Sequence, residues 1–297
     1  MAGQQRVYKQ KIRATQTLKK VFRAMELIAA SRISKARDTA LEADPYTRAL
    51  IRAVSAVASH ADLDHPLITG RDDTNDVAVL VVTSDRGMAG AYSATVLRES
   101  ERLLADLEAE GKTPRVYVFG RRGESYFKFR GREIVQSWTG ESERPSVEIT
   151  QDIARALLAA YQAPVGAGGV SELHIVFTRF ESMVTQVVQR RRVLPLEVVD
   201  GVAEPSEGPR ALYDFEPSPE DVLDALLPMY VMNRLRNNLL MAAASELASR
   251  QRAMHTATEN AEDIIRDYTR LANQARQGEI TQEISEIVSG ADALSAD

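Results

Sequence analysis

Arg276-Gln-Gly-Glu-Ile-Thr-Gln-Glu-Ile-Ser-Glu-Ile-Val-Ser-Gly290 closes a stretch that begins near Tyr230 and reads as one very long helix. Between Tyr230 and Val288 there is no proline, and Gly278 is the only glycine. Apolar or small residues recur at alternating four- and three-residue steps: Leu240, Ala243, Leu247, Met254, Ala257, Ala261, Ile264, Tyr268, Leu271 and Ala275, with Arg250 the one break in the row. A stripe of that period, sustained over several heptads, means a helix packed along another helix. At ~1.5 Å per residue, some 60 residues of helix would span roughly 90 Å, far beyond the ordinary globular helix of about 11 residues.

A partner for that helix lies at the other end of the chain. Residues 4–58 carry a row Leu18, Phe22, Met25, Ala29, Ile33, Ala36, Ala40, Ala43. One extra four-residue step moves it from a strict heptad toward an eleven-residue repeat. Asp44-Pro45 is expected to kink or interrupt this helix, because proline lacks the donor and crowds the preceding turn. The formal net charge of −5 hides an asymmetry: residues 1–37 hold ten Lys or Arg and a single acid, Glu26. A basic helical arm is either a surface for an acidic partner or a solvated face beside an acidic segment of its own chain.

The middle third changes character. Val77-Ala-Val-Leu-Val-Val-Thr83 is a continuous apolar run, as in a buried parallel strand. Strands are also expected at Arg115–Phe119, Ile134-Val135 and Glu172–Thr178, and Thr185–Leu196 reads as a hairpin partner. Helical patterns fall at Ser93–Glu110, from near Arg122, and at Val147–Tyr161. Alternating strands and helices argue for a doubly wound α/β domain. Ser218-Pro-Glu-Asp-Val starts the final helix, with Ser218 as N-cap, Pro219 at the first helical position and acids in the first turn. Pro228 is expected to kink that helix near its base.

Composition removes several chemistries. With no cysteine, there are no disulfides, thiolate nucleophiles or cysteine-ligated zinc. No apolar run is long enough to span a membrane, and no apolar leader opens the chain. The histidines, His60, His65, His174 and His255, lack metal-ligand spacing. Arg190-Arg-Arg192 reads as a hairpin edge open to an acidic contact. Thr83-Ser-Asp-Arg-Gly-Met-Ala-Gly90 sits between a strand and a helix, where phosphate-cradling loops occur. It lacks the Lys-Ser/Thr pair of a P-loop and the third glycine of a dinucleotide fingerprint. The competing reading is a tight turn whose small residues let a helix approach the sheet. The rod's alanines, Ala242, Ala243, Ala244, Ala248, Ala253, Ala257 and Ala261, combine high helix propensity with a thin profile.

Taken together, these residues resemble the gamma-subunit family of F-type ATP synthases over essentially the whole chain. The likeness is carried by Ile12-Arg13-Ala-Thr15 and Lys20-Val-Phe-Arg23-Ala-Met25-Glu-Leu-Ile-Ala-Ala-Ser31, by Ser84-Asp85-Arg86-Gly87-Met-Ala-Gly90, by Phe215-Glu-Pro-Ser-Pro219, and by the C-terminal helix. There the matching residues are Glu246, Arg250, Asn260-Ala261, Arg276-Gln277, Ile280-Thr281 and Glu286–Gly290. Met88 and Ala89 stand where the family usually has leucine and cysteine, and Arg190–Pro209 matches least.

The resemblance implies an α/β fold: a long antiparallel coiled coil of the terminal helices with an inserted Rossmann-like domain. The expected boundaries are an N-terminal helix at 1–60, a linker at 61–76, the α/β domain at 77–199, a connection at 200–217, the C-terminal helix at 218–290 and a tail at 291–297. It also implies a rotor without catalytic group, cofactor or metal. Its partners would be three alpha and three beta subunits per copy, an epsilon subunit and a ring of c subunits. No nucleic acid is implied, and membrane association comes only through the complex, at the cytoplasmic face of a bacterial plasma membrane. Subunit contacts are expected at Met25, Arg13, Lys20, Arg23, Glu246, Arg250, Arg276, Gln277 and Thr281, and Ser84, Asp85, Arg86, Gly87 and Gly90 form a structural turn. The alternative class is a coiled-coil protein binding nucleic acid or membrane through its basic helix, and a nucleotide-binding α/β enzyme is a third.

Overall fold

A computed structural model describes residues 2–42, 44–60, 70–195 and 215–295. Ala43, His65, most of the linker at 61–76 and nearly all of the connection at 200–217 lie outside the described residues. The chain divides into two compact units, Ala30–Ser249 and Met1–Ala29 with Arg250–Asp297.

The larger unit is built on a sheet. Its strands are β1 (Asp76–Val82), β2 (Thr113–Phe119), β3 (Ile134–Trp138), β4 (Glu172–Phe180) and β5 (Gln186–Leu194). They lie in the order β3-β2-β1-β4-β5. The first four pair in parallel, and β5 runs antiparallel to β4 at the edge. Such an order needs helical crossovers on both faces, which explains the unbroken apolar run of β1. Successive residues of a strand face opposite ways, so Val77, Val79 and Val81 enter one core while Ala78, Leu80 and Val82 enter the other. Each of these side chains is at most 1% exposed.

The two faces are covered differently. Numbering helices in chain order, α1 is Ala2–Glu42, α2 Asp44–His60, α3 Tyr92–Ala109, α4 Arg121–Phe129, α5 Val147–Gln162 and α6 Pro219–Ser295. Val96, Leu103, Leu104 and Leu107 of α3 and Phe127 of α4 close the Val77 face. The opposite face is closed by Ile153, Leu157 and Tyr161 of α5, Val57 of α2, and Leu223, Leu227, Val231, Leu235 and Leu239 of α6. The base of the long helix is therefore part of the α/β core. Asn233 of α6 donates to the Thr47 hydroxyl of α2 at 2.7 Å, which satisfies two polar groups inside this layer.

Local chemistry accounts for the boundaries. Helix α1 is described to Glu42 and α2 from Asp44, with Asp44 and Pro45 both helical residues of α2; the interruption expected at Asp44-Pro45 would fall against Ala43, which lies outside the described residues. Asp221 donates its backbone N–H to the Ser218 hydroxyl at 3.2 Å, and Pro219 is the first residue of α6. Pro228 is accommodated inside α6 as a helical residue.

In the smaller unit α1 and α6 run antiparallel. As residue numbers rise along α1 they fall along α6: Tyr8 stacks on Tyr268 with centroids 6.2 Å apart, Lys19 pairs with Glu262 at 2.7 Å, and Glu26 with His255 at 3.1 Å. The buried row differs from the apolar row read in the sequence. On α1, Leu18 is 52% exposed, whereas Tyr8, Ile12, Thr15, Lys19, Phe22, Glu26 and Ala29 are buried or half-buried. On α6, Ile264 is exposed, and the row passes through Met254, Thr258, Ala261, Ile265, Tyr268 and Ala272. Both rows keep a strict four-three alternation, the heptad of a packed helix pair. A search for apolar residues misses it because Thr15, Lys19, Glu26 and Thr258 occupy seam positions, with Lys19 and Glu26 held by partners on the facing helix.

Two glycines are required where α4 meets the sheet. A Cβ on Gly120 would lie 2.1 Å from the Thr83 carbonyl oxygen, and its φ is +104°. A Cβ on Gly123 would meet the Thr83 hydroxyl at 2.9 Å. Gly120→Ala is expected to cost the α/β domain about 3 kcal/mol through backbone strain and a clash with main chain, measured by urea denaturation. Gly111→Ala, at a position with nothing within 4 Å but φ +80°, should cost less.

Candidate functional site

The turn after β1 is built as an internal knot. Asp85 is its hub: one carboxylate oxygen accepts the Arg121 N–H at 3.0 Å, and the other accepts the Ser142 N–H at 2.9 Å. In return the Asp85 N–H donates to the Ser142 hydroxyl at 2.9 Å. The Ser84 carbonyl accepts from Arg122 N–H at 2.9 Å, and the Ser84 and Ser93 hydroxyls lie 2.7 Å apart. Asp85 thus reaches the loops that follow β1, β2 and β3. It also serves the N-terminus of α4, whose N-cap residue Gly120 has no side chain to satisfy the exposed N–H groups there.

Electrostatics agree with that role. Burial pushes the Asp85 carboxyl up, but the backbone N–H groups of Gly140, Ser142 and Arg121 together outweigh it and hold the group below the usual carboxylate range. Gly87 is not a close-approach glycine, since nothing lies within 4 Å of its added Cβ. Gly90 has φ +57° and Met88 φ +61°, so the chain turns through two left-handed residues. The close approach inferred for the turn's small residues occurs instead at Gly120 and Gly123, one strand away. Arg86 is exposed. The backbone N–H groups of Ser84 and Asp85 and the Asp85 carboxylate are taken up by protein groups.

The remaining expected residues fall on the helices. Arg13, Lys20 and Arg23 are exposed and Met25 is half-buried, as are their neighbours on the outward side of α1. Arg23 pairs with Glu26 at 2.9 Å. Arg276, Gln277 and Thr281 are exposed on the far stretch of α6, where Ile280, Ile284, Ile287 and Val288 are also between 44% and 71% exposed. Glu246 and Arg250 are different: they are 0% and 4% exposed, so the chain itself covers them. Of the histidines, His174 is bonded to Glu172 at 2.7 Å and His255 lies between Glu26 and Glu259. Arg190 finds acid on α3, Glu99 at 3.0 Å and Asp106 at 2.6 Å. Among the described residues no group of histidines and acids has the arrangement of a metal site, and no helix is long and apolar enough to cross a membrane.

Sequence reasoning passed over Glu26 with His255, Tyr92 and Ser245. The first pair had a legible signal: a lone acid in a basic helix and a lone histidine on a long one. The last two had none, since a tyrosine opening a helix and a serine among alanines are ordinary residues.

Fold and site together define a protein whose long terminal helices pair antiparallel and enclose in sequence a doubly wound domain, in which the glycine turn ties loops together. The ATP synthase family model matches residues 4–294. The chain is 68% identical to the ATP synthase gamma chain of Beutenbergia cavernae over the full length of both, and 56% identical to that of Kineococcus radiotolerans over 100% of this chain and 98% of the relative. This chain belongs to the ATP synthase gamma chain family. Its fold is similar to a chain in the Euglena gracilis mitochondrial ATP synthase OSCP/F1/c-ring structure, with TM-score 0.68 at 15% identity over 100% of this chain and 96% of the other. A chain of the Tetrahymena thermophila mitochondrial ATP synthase central stalk and c-ring gives TM-score 0.58 at 17% identity, over 80% of this chain and 99% of that one.

Because the folded-state value of Asp85 is depressed, its contribution is fully present above the ordinary carboxylate range near pH ~4 and is lost as pH falls through the depressed value. Asp85→Asn is expected to cost about 2 kcal/mol at pH 7. Denaturation at decreasing pH should show the gap between the two proteins narrowing. A gap that stayed constant would remove the carboxylate's charge from the explanation.

Proposed function

We propose that this chain is the central-stalk rotor subunit of an F-type ATP synthase. It couples ion-driven rotation of a c-subunit ring to ATP synthesis at sites in the beta subunits, at the cytoplasmic face of a bacterial plasma membrane. The observation that carries the reading is the full-length match to gamma chains in a protein whose terminal helices pair antiparallel through strict heptads. A shaft must be stiff along its length and apolar or basic where it meets its bearing. The exposed Ile280, Ile284, Ile287 and Val288 provide an apolar end for that purpose.

The chain supplies no catalytic group in this reading. Its asymmetric surface presents different faces to each beta subunit in turn and so shifts their conformational populations in sequence. Met25, Arg13, Lys20, Arg23, Arg276, Gln277 and Thr281 are the contact residues, and the basic stretch of α1 meets acidic loops of beta. Glu246 and Arg250, being buried, act within the chain by fixing α6. The α/β domain at 77–199 meets epsilon and the c-ring at the foot. The glycine turn does not favour the nucleotide-enzyme reading, since its polar groups are bonded to neighbouring loops.

Co-expression with alpha, beta and epsilon is expected to yield a complex of three alpha and three beta subunits per copy of this chain. Salt-sensitive binding of the isolated chain to duplex DNA or anionic vesicles, without such a complex, would favour the coiled-coil alternative. In membrane vesicles, Met25→Lys should leave ATP hydrolysis within about twofold while lowering ion pumping per ATP roughly tenfold, since an added attraction of ~1 kcal/mol or more to an acidic loop would hold the rotor at one angle. Pumping per ATP at the wild-type level would show that position 25 does not face that loop.

A further inference from the structure

In a doubly wound sheet the carboxyl ends of two strands diverge where the strand order reverses, and ligands ordinarily bind in that crevice. Here the reversal lies between β1 and β4, with β2 and β3 on one side and β5 on the other. The crevice is filled by the chain's own helix. Ser245 of α6 donates its hydroxyl toward the Thr178 carbonyl of β4 at 3.0 Å and lies 2.8 Å from the Met241 carbonyl of its own helix. Tyr92, the first residue of α3, donates its hydroxyl to the Ala242 carbonyl of α6 at 3.2 Å. Both residues are buried, Tyr92 4% and Ser245 0% exposed. Phe180, at the end of β4, packs beside Ile33, Leu247 and Ala248. A second tie holds the other helix, where Arg32 pairs with Glu143 in the loop after β3.

The chemistry of these contacts is directional. Ala242, Ala243 and Ala244 are at most 2% exposed, and their small side chains bring the helix within reach of the Tyr92 hydroxyl and of the Thr178 carbonyl. The apolar residues at the base of α6 hold it against the sheet, but their attraction is non-directional and tolerates small displacements better than a hydrogen bond does. A hydroxyl bonded to a main-chain carbonyl is lost when the helix turns or slides by a fraction of a residue. One contact reaches α3 and the other β4, so the helix is tied to two elements of the domain.

We propose that this filled crevice is a torque joint: Tyr92 and Ser245 are positioning residues that lock α6 to the α/β domain so that domain and shaft turn as one body. The proposal rests on the rotor reading above. It assigns the fold's ordinary ligand crevice to mechanical transmission, and it predicts that stiffness, not assembly or hydrolysis, is what these two hydroxyls supply.

The test uses the assembled complex carrying this chain, fixed to a surface through its alpha and beta subunits, with a bead on the α/β domain and rotation driven by ATP. A wild-type complex that hydrolyses ATP with no bead rotation would count against the rotor reading itself. With rotation present, the angular variance of the bead during pauses reports the stiffness between domain and shaft. The double variant Tyr92→Phe with Ser245→Ala is expected to raise that variance about twofold or more, having lost two bonds of ~1 kcal/mol each, with hydrolysis within about twofold of wild type. Variance equal to wild type overturns the joint. If the double variant does not assemble, Tyr92→Phe alone decides the matter, because it keeps the ring and removes one hydroxyl: increased variance supports the joint and unchanged variance overturns it.

Discussion

The burial of the base of α6 against the sheet is the constraint on which the larger unit depends. One face of the sheet is closed by α3 and α4. The other would remain open over much of its width if α5 alone covered it, since Leu223, Leu227, Val231, Leu235 and Leu239 all enter that core and are 0% exposed. At roughly 25 cal/mol per Å² of apolar surface, each such leucine contributes on the order of 2 kcal/mol. A helix held by five of them cannot swing away from the domain without exposing its core. The long helix is therefore not an appendage to a folded domain; the domain is not closed without it.

That constraint explains why the glycine turn is a knot. In a ligand-binding relative of the doubly wound architecture, the loops at the strand ends stay free to meet a ligand. Here they are bonded to one another through Asp85 and Ser142, and the space above β4 is taken by Ala242–Ala248. A carboxylate held by backbone N–H groups is among the stronger uncharged-partner arrangements available. It secures three loops. The same segment that looks like a nucleotide turn in sequence works as a fastening because Ser84 and Asp85 are bonded to neighbouring loops.

Much of this architecture was legible from residue order. The start at Ser218-Pro219, the buried run of β1 and the antiparallel pairing of the terminal helices follow from backbone chemistry and apolar spacing, which act locally. The seam of the helix pair was read with errors at Leu18 and Ile264, because its positions 15, 19, 26 and 258 hold polar residues whose burial depends on partners more than two hundred residues away in the case of Glu26 and His255. The close-approach glycines were missed for a related reason. Gly120 and Gly123 matter only because Thr83 of a neighbouring strand lies against them, and that proximity is a property of the sheet, not of the segment.

Polar seam residues also bear on what the helix pair can do. A seam of uniform apolar residues would tolerate sliding by a heptad with little loss, since each side chain would find an equivalent site. Lys19 facing Glu262 and Glu26 facing His255 favour one register. Moving the helices by a turn would take Glu26, 7% exposed, away from His255 and Lys19 away from Glu262, leaving Glu26 only its own-helix partner Arg23. The stability given up by placing charge in the seam is exchanged for a fixed axial alignment.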